Sequence, residues 1–162
     1  MASPARLPQD SQPGVVSRGY VLGATCVVFD PLGRVLLVRR RSPQRWELPG
    51  GLADKGEAIT DTAVREVREE TGVDVRLSRL VGVYQHPSRE IVAMVFVAVS
   101  VGGEPVATDE ASEVEWVSVR DARERLHPLF LPRLEDAMPL CHTAPLHVHE
   151  GTAVLDGLPS LN

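Results

Sequence analysis

Glu66, Glu69 and Glu70 stand at positions i, i+3 and i+4, with Arg65 directly before them and Glu57 upstream. On an α-helix this spacing brings the three carboxylates onto one face within about a turn. Like charges so close repel one another unless cations sit between them. Clustered carboxylate oxygens are the donors that Mg2+ or Mn2+ prefers. Divalent cations held there would acidify bound water and screen negative oxygens.

These side chains need a helix with a second face that packs. The helix is expected to start near Thr60, a residue suited to capping, with Asp61 in the first turn. It ends at Gly72, suited to the left-handed terminal position. Ala63, Val64 and Val67 form its apolar stripe, offset from the Glu face. Upstream, Tyr20–Phe29 reads as a buried strand, Asp30–Gly33 as a turn, and Arg34–Arg41 as a second strand in a hairpin with the first. Downstream, Val75–Tyr84 and Ile91–Val99 read as strands joined by the loop Gln85–Glu90, and Val114–Val117 as a short strand. Asp121–Leu126 and Leu129–Met138 read as helices, the second bent at Pro132.

Between Gly51 and Val73 the chain reads Gly-x5-Glu-x7-Arg-Glu-Val-x-Glu-Glu-x-Gly-Val, with Gly51, Glu57, Arg65, Glu66, Glu69, Glu70 and Gly72 at the specified places. This stretch resembles the Nudix box, the signature of hydrolases that cleave nucleoside diphosphates linked to another moiety. Every specified position is matched without a gap. The resemblance implies an α/β fold, an α/β/α sandwich around a mixed β-sheet, over residues 18–138. It also implies hydrolysis of a diphosphate linkage by water attack at phosphorus, with Mg2+ as cofactor and Mn2+ as a substitute. Carried over position by position, it makes Glu69 and Glu70 metal ligands, and Glu66 a further ligand or the base that deprotonates water. Arg65 would orient a box carboxylate through a bidentate pair. Gly50 would offer its carbonyl oxygen to a metal. Glu57, out of phase with the metal face, would support the loop. Many members add a carboxylate from a later loop, for which Glu110 is the first choice here and Glu113 the second.

Substrate contacts are expected from Arg39 and Arg41, which share one side of a strand, and from Tyr84 and His86 as stacking platforms at the loop. Trp46 and Trp116 are assigned to the core. His147 and His149 alternate without a third placed ligand, so they do not make a zinc site.

With 162 residues, 43% hydrophobic and 24% charged, the chain is the size of one globular domain. A net charge of −5 argues against a nucleic-acid surface, and the Nudix resemblance implies a small nucleotide as the partner. It also requires metal to reverse the local sign where an anionic substrate binds. Cys26 and Cys141 form no pairing pattern, no apolar run is long enough for a membrane span, and no leader is read, so the cytoplasm is the expected compartment. Residues 1–17, rich in proline, read as a flexible arm, and residues 139–162 as a tail of unassigned role that would cover the pocket, pad a dimer interface or lie loosely ordered. A homodimer is a family habit that the sequence leaves open. The competing reading is a non-catalytic Nudix-like domain that senses a nucleotide ligand. Loss of box Glu residues would favour it, and none is lost.

Overall fold

Six consecutive buried residues, Gly23 to Val28, run through the first strand, β1 (Val21–Phe29). A strand enclosed on both faces needs neighbours along its edges as well as layers above and below. The computed structural model, which describes residues 19–138, 146–150 and 152–156, supplies both. It contains β2 (Val35–Arg40), β3 (Trp46–Glu47), β4 (Gly50–Leu52), α1 (Ile59–Thr71) and β5 (Val73–His86). These are followed by β6 (Ile91–Gly103), β7 (Ala111–Val117), α2 (Val119–Arg125), α3 (Leu131–Asp136), β8 (Leu146–Glu150) and β9 (Ala153–Asp156).

The strands form one mixed sheet in the order β3-β2-β1-β6-β5-β8-β9, with β4 also on β1 and β7 also on β2. β1 runs parallel to β6 from Val21↔Ile91 to Phe29↔Val99. The expected hairpin forms but is short: β1 and β2 pair antiparallel at Phe29↔Val35, beside the Asp30–Gly33 turn. Beyond that pair they splay, β2 taking β7 and β3 as partners while β1 takes β4.

Side chains alternate across the sheet. Ala24, Cys26 and Val28 face α1, packing with Ala63, Val67 and Phe96. Val27 and Leu37 face the other side, under Leu129, Phe130 and Leu134. Helices therefore cover both faces, giving the expected α/β/α sandwich.

Within α1 two details differ from expectation. The cap is Ala58 rather than Thr60, and it makes no side-chain cap bond. Val64 is exposed, and the buried stripe is Thr62, Ala63, Val67, Glu70 and Thr71. Glu70 lies three residues after Val67 and seven after Ala63, so helical phase carries it inward with them. Gly72 closes the helix in the left-handed conformation, with φ 76° and its N–H donating to the Arg68 carbonyl. The expected strands after it are longer than read, and residues Gln85 and His86 belong to β5 rather than to a loop. Pro132 lies in the first turn of α3, where its missing N–H costs nothing, so it opens the helix instead of bending it.

Of the tail, residues 146–150 and 153–156 extend the sheet. β8 runs parallel to β5 through Val83↔Leu146, Tyr84↔His147 and Gln85↔Val148, and β9 returns antiparallel. The N-terminal arm, Cys141 and His142 lie outside the described residues. No helix among the described residues is long and apolar enough to cross a membrane.

Candidate active site

Arg65 is the hub of the helical wall. Its Nε and Nη2 donate to the two oxygens of Glu57 at 2.8 and 2.9 Å. Its Nη1 donates to Glu66 Oε1 and Glu69 Oε2, each at 2.9 Å, and Nη2 also reaches the Leu52 carbonyl at 3.2 Å. The planar fork can serve all of these at once, which an ammonium could not. Glu57 in turn accepts the Asp54 N–H (3.0 Å) and the Thr62 hydroxyl (2.8 Å), tying the loop to the helix. The Arg65 bonds, followed by the Asp54 N–H, pull its carboxyl down to about 2.

The three remaining box carboxylates occupy different depths. Glu69 keeps 60% of its side chain exposed. Glu66 is mostly covered and lies against the Gly51 backbone, where an added Cβ would come within 2.4 Å of its carboxyl carbon. Burial raises its pKa first, against the pull of Arg65, with the charges of Glu69 and Glu110 adding to the rise. Glu70 is only 2% exposed. It accepts the Gly50 N–H at 3.0 Å and pairs with Arg40. Burial pushes it up to about 7, opposed by Arg40 and the Gly50 N–H and reinforced by Glu66.

Arg40 is the arginine that the site uses. It donates to Glu110 Oε2 (3.1 Å), Glu47 Oε2 (3.2 Å) and the Gly50 carbonyl (3.0 Å), besides pairing with Glu70. Arg39 and Arg41, expected at the substrate, point elsewhere. Arg39 pairs with Glu113 and Gln44, and Arg41 donates to the Thr108 carbonyl at 2.8 Å. Alternation explains the correction: Arg40 shares its face with Leu36, which packs toward α1, whereas Arg39 shares its face with Leu37. Glu113 is held by Arg39, away from the box, and Glu110 is the loop carboxylate brought to it.

Among the described residues, no three His, Cys, Asp or Glu side chains converge on one point. Arg65 draws Glu66 and Glu69 to itself, and Arg40 draws Glu70 and Glu110. The Arg40 guanidinium nonetheless shows what this place accepts. A cation there is surrounded by oxygens of Glu70, Glu110 and Gly50, with Glu66 near enough to feel their charge. These hard oxygen donors fit a divalent cation of the Mg2+ type.

Beside them opens a cavity of about 230 Å3, bounded by β1, the Gly50–Leu52 segment and the Leu129–Arg133 segment. Four arginines line it, Arg40, Arg45, Arg89 and Arg133, against one carboxylate, Glu47, which pairs with both Arg40 and Arg45. His86 lines it as expected. Tyr84 does not. Its ring is fully enclosed between the core, His147 and His149, and its hydroxyl donates to Asp136. A ring with no exposed surface offers no stacking platform, so the expected base contact is corrected to a core role. The two tryptophans are half-buried against the core, and Arg125 lies 4.0 Å over the Trp46 ring. Sequence reasoning missed Arg133 and Thr25. Arg40 was legible in principle from its phase with Leu36, but nothing local marks Arg133.

The family model of the NUDIX domain matches residues 19–139. A MutT-like protein of Streptomyces ambofaciens is 39% identical over 112 residues, covering 69% of this chain and 73% of that one. A putative 8-oxo-dGTP diphosphatase of Bacillus subtilis is also 39% identical, covering 61% of this chain and 67% of its own length. An ADP-ribose pyrophosphatase of Methanocaldococcus jannaschii is 35% identical over 58% of this chain and 60% of the relative. Among solved structures, a MutT NUDIX hydrolase from Burkholderia pseudomallei superposes with a TM-score of 0.62 at 29% identity, over 73% of this chain and 98% of that one. With the box running from β4 through α1, its glycine segment paired with β1 and helices on both sheet faces, the chain belongs to the Nudix hydrolase family and is a pyrophosphohydrolase.

Proposed function

We propose that this protein hydrolyses the diphosphate linkage of a small nucleotide derivative with Mg2+, which Mn2+ can replace. The observation that carries this reading is the meeting of Glu70, Glu110 and the Gly50 carbonyl around one cation, at the mouth of a cavity with four arginines. Glu66, Glu69, Glu70, Glu110 and the Gly50 carbonyl oxygen are the donors that would hold the metal. When bound, the metal supplies charge neutralisation and acidified water. Arg65 holds Glu66 and Glu69 in place. One of these two takes the proton of the attacking water as its oxygen bonds to phosphorus and the bridging P–O bond breaks, leaving two phosphorylated products. Arg45 and Arg89 face the substrate's phosphate oxygens. The relatives named for 8-oxo-dGTP and for ADP-ribose support the reaction class and differ in substrate.

The test is turnover of a panel of nucleoside diphosphate derivatives with Mg2+, read by phosphate release in the presence of a coupling phosphatase. One compound is expected to stand well above the rest. The Glu69→Gln/Glu70→Gln variant is expected to lose about 10^3-fold or more, since several kcal/mol of charge stabilisation go with the metal. Near-normal turnover in that variant would place the metal elsewhere. Binding without turnover across the panel would favour a ligand-sensing domain.

A further inference from the structure

At the floor of the cavity, Arg133 of α3 is 5% exposed. Its Nη1 donates to Thr25 Oγ1 at 2.8 Å, and Nη2 lies 3.2 Å from His86 Nε2. The guanidinium carbon stands 4.8 Å from the Phe130 ring centre and 5.2 Å from that of Tyr84. Its Nε has no partner among the described residues, and no carboxylate there lies within ion-pair distance. Burial lowers its pKa only to about 10, so it is a cation at neutral pH. Glu47, which lines the same cavity, acts on it only at a distance, so the buried charge has no ion-pair partner among the described residues; a guanidinium carries five N–H donors, of which Thr25 and His86 can accept two. Nη1 and Nη2 each keep a further N–H, and Arg133 lines the cavity, so an acceptor placed there can complete them.

The walls say which kind. Leu48, Ile91, Ala93, Leu129 and Phe130 are apolar. Arg40, Arg45 and Arg89 line the same cavity and can take phosphate oxygens, which leaves the apolar residues and Arg133 for another part of the ligand. A flat ring with apolar faces and one polarised oxygen matches both walls and floor. Arginine has no acceptor, so an amino group at the same ring position would set donor against donor.

We propose that Arg133 reads the ring keto oxygen of the substrate's nucleobase, so that the protein takes 6-oxopurine or 4-oxopyrimidine nucleotides and rejects adenine and cytosine nucleotides. This rests on the reading that the cavity holds the nucleoside part of the substrate. His86 and His149 position Arg133 from behind: the rings stack at 4.9 Å, and β8 holds His149 in place.

The experiment is titration calorimetry of the full chain, with Mg2+, against α,β-methylene diphosphates of inosine, adenosine, guanosine, uridine and cytidine. Inosine and adenosine differ at the critical ring position alone. The inosine analogue is expected to bind about 10- to 100-fold more tightly than the adenosine analogue. Selective binding of guanosine and inosine, or of uridine, tells a purine from a pyrimidine oxygen. In Arg133→Met the inosine/adenosine ratio is expected to fall to about threefold or less, with Arg133→Lys retaining part of it. Equal affinities in the unmodified protein would overturn the proposal whether or not the variants fold, as would an unchanged ratio in a folded Arg133→Met. The readout does not depend on turnover. A chain that hydrolyses nothing yet prefers keto bases would refute the hydrolase reading and leave this one standing.

Discussion

Two walls of the site handle charge in opposite ways: α1, and the lining of the cavity beside it. On the helical wall, charges are paired close along the chain: Arg65 serves Glu57, Glu66 and Glu69, never more than eight residues away. On the cavity wall, Arg133 finds Thr25 at a separation of 108 residues and His86 at 47, and pairs with no carboxylate among the described residues. The first wall is a local ionic lattice around positions that a metal would take. The second is a buried cation surrounded by rings and neutral acceptors. The contrast teaches that catalytic chemistry can be written into one helix, whereas discrimination between ligands depends on side chains that only folding brings together.

The strongest way to break the comparison lies behind the second wall. Tyr84 is fully enclosed there, so Tyr84→Ala is expected to cost about 3–5 kcal/mol, seen as a melting temperature lower by on the order of 10 °C. An unchanged melting temperature with a raised KM would instead put the ring in the cavity and erase the distinction drawn here.

A smaller effect sharpens the first wall. In Gly51→Ala the new Cβ would come within 2.4 Å of the Glu66 carboxyl carbon. The flexible carboxylate can swing away, so stability is expected to stay within about 1 kcal/mol while turnover drops by about 10- to 100-fold. Thermal unfolding and kcat measured on the same preparation check it. Full turnover would mean that Glu66 need not lie against the loop.

The smallest effect concerns pH. Burial, with Arg133 next, lowers His86 from 6.5 to about 4, and burial also lowers His149. The unfolded chain therefore binds protons that the folded rings refuse. By linkage, stability rises with pH between about 4 and 6.5, is fully present above that range, and is lost as pH falls through it. The histidines alone lower melting by a few degrees at pH 5 relative to pH 7, against the opposite contribution of Glu70, whose carboxyl burial raises to about 7. Both ring nitrogens of His149 lack partners among the described residues, so His149→Phe is expected to shrink this difference without lowering the pH 7 value. A pH difference unaltered in that variant would assign the titration to other groups.

Much of the scaffold was legible because burial imposes periodicity. The strands around Val21–Phe29 and Ile91–Gly103 and the helix ending at Gly72 follow from apolar runs and a left-handed terminus. The hairpin is shorter than the sequence suggests because a turn specifies where a chain reverses, not how far its arms stay paired once longer neighbours compete. Among the site residues, Glu70 was grouped with the Glu face rather than with the apolar stripe, because Val64, which is exposed, was counted into a stripe whose buried members are Ala63 and Val67. Glu110 was found by its position in an acidic loop, while Arg40 lost out to its neighbours because the buried partners of β2 were unknown.

What the sequence by itself determined is the reaction: the spacing of Arg65, Glu66, Glu69 and Glu70 is a local property, and helical geometry turns it into an arrangement in space. Tertiary structure decided what faces the reacting end. It turned Arg40 inward, closed Tyr84 into the core, laid β8 against β5 and set Arg133 in the cavity lining without an ion pair among the described residues. Those outcomes depend on contacts between distant segments, and no pattern within one segment encodes which segments will meet.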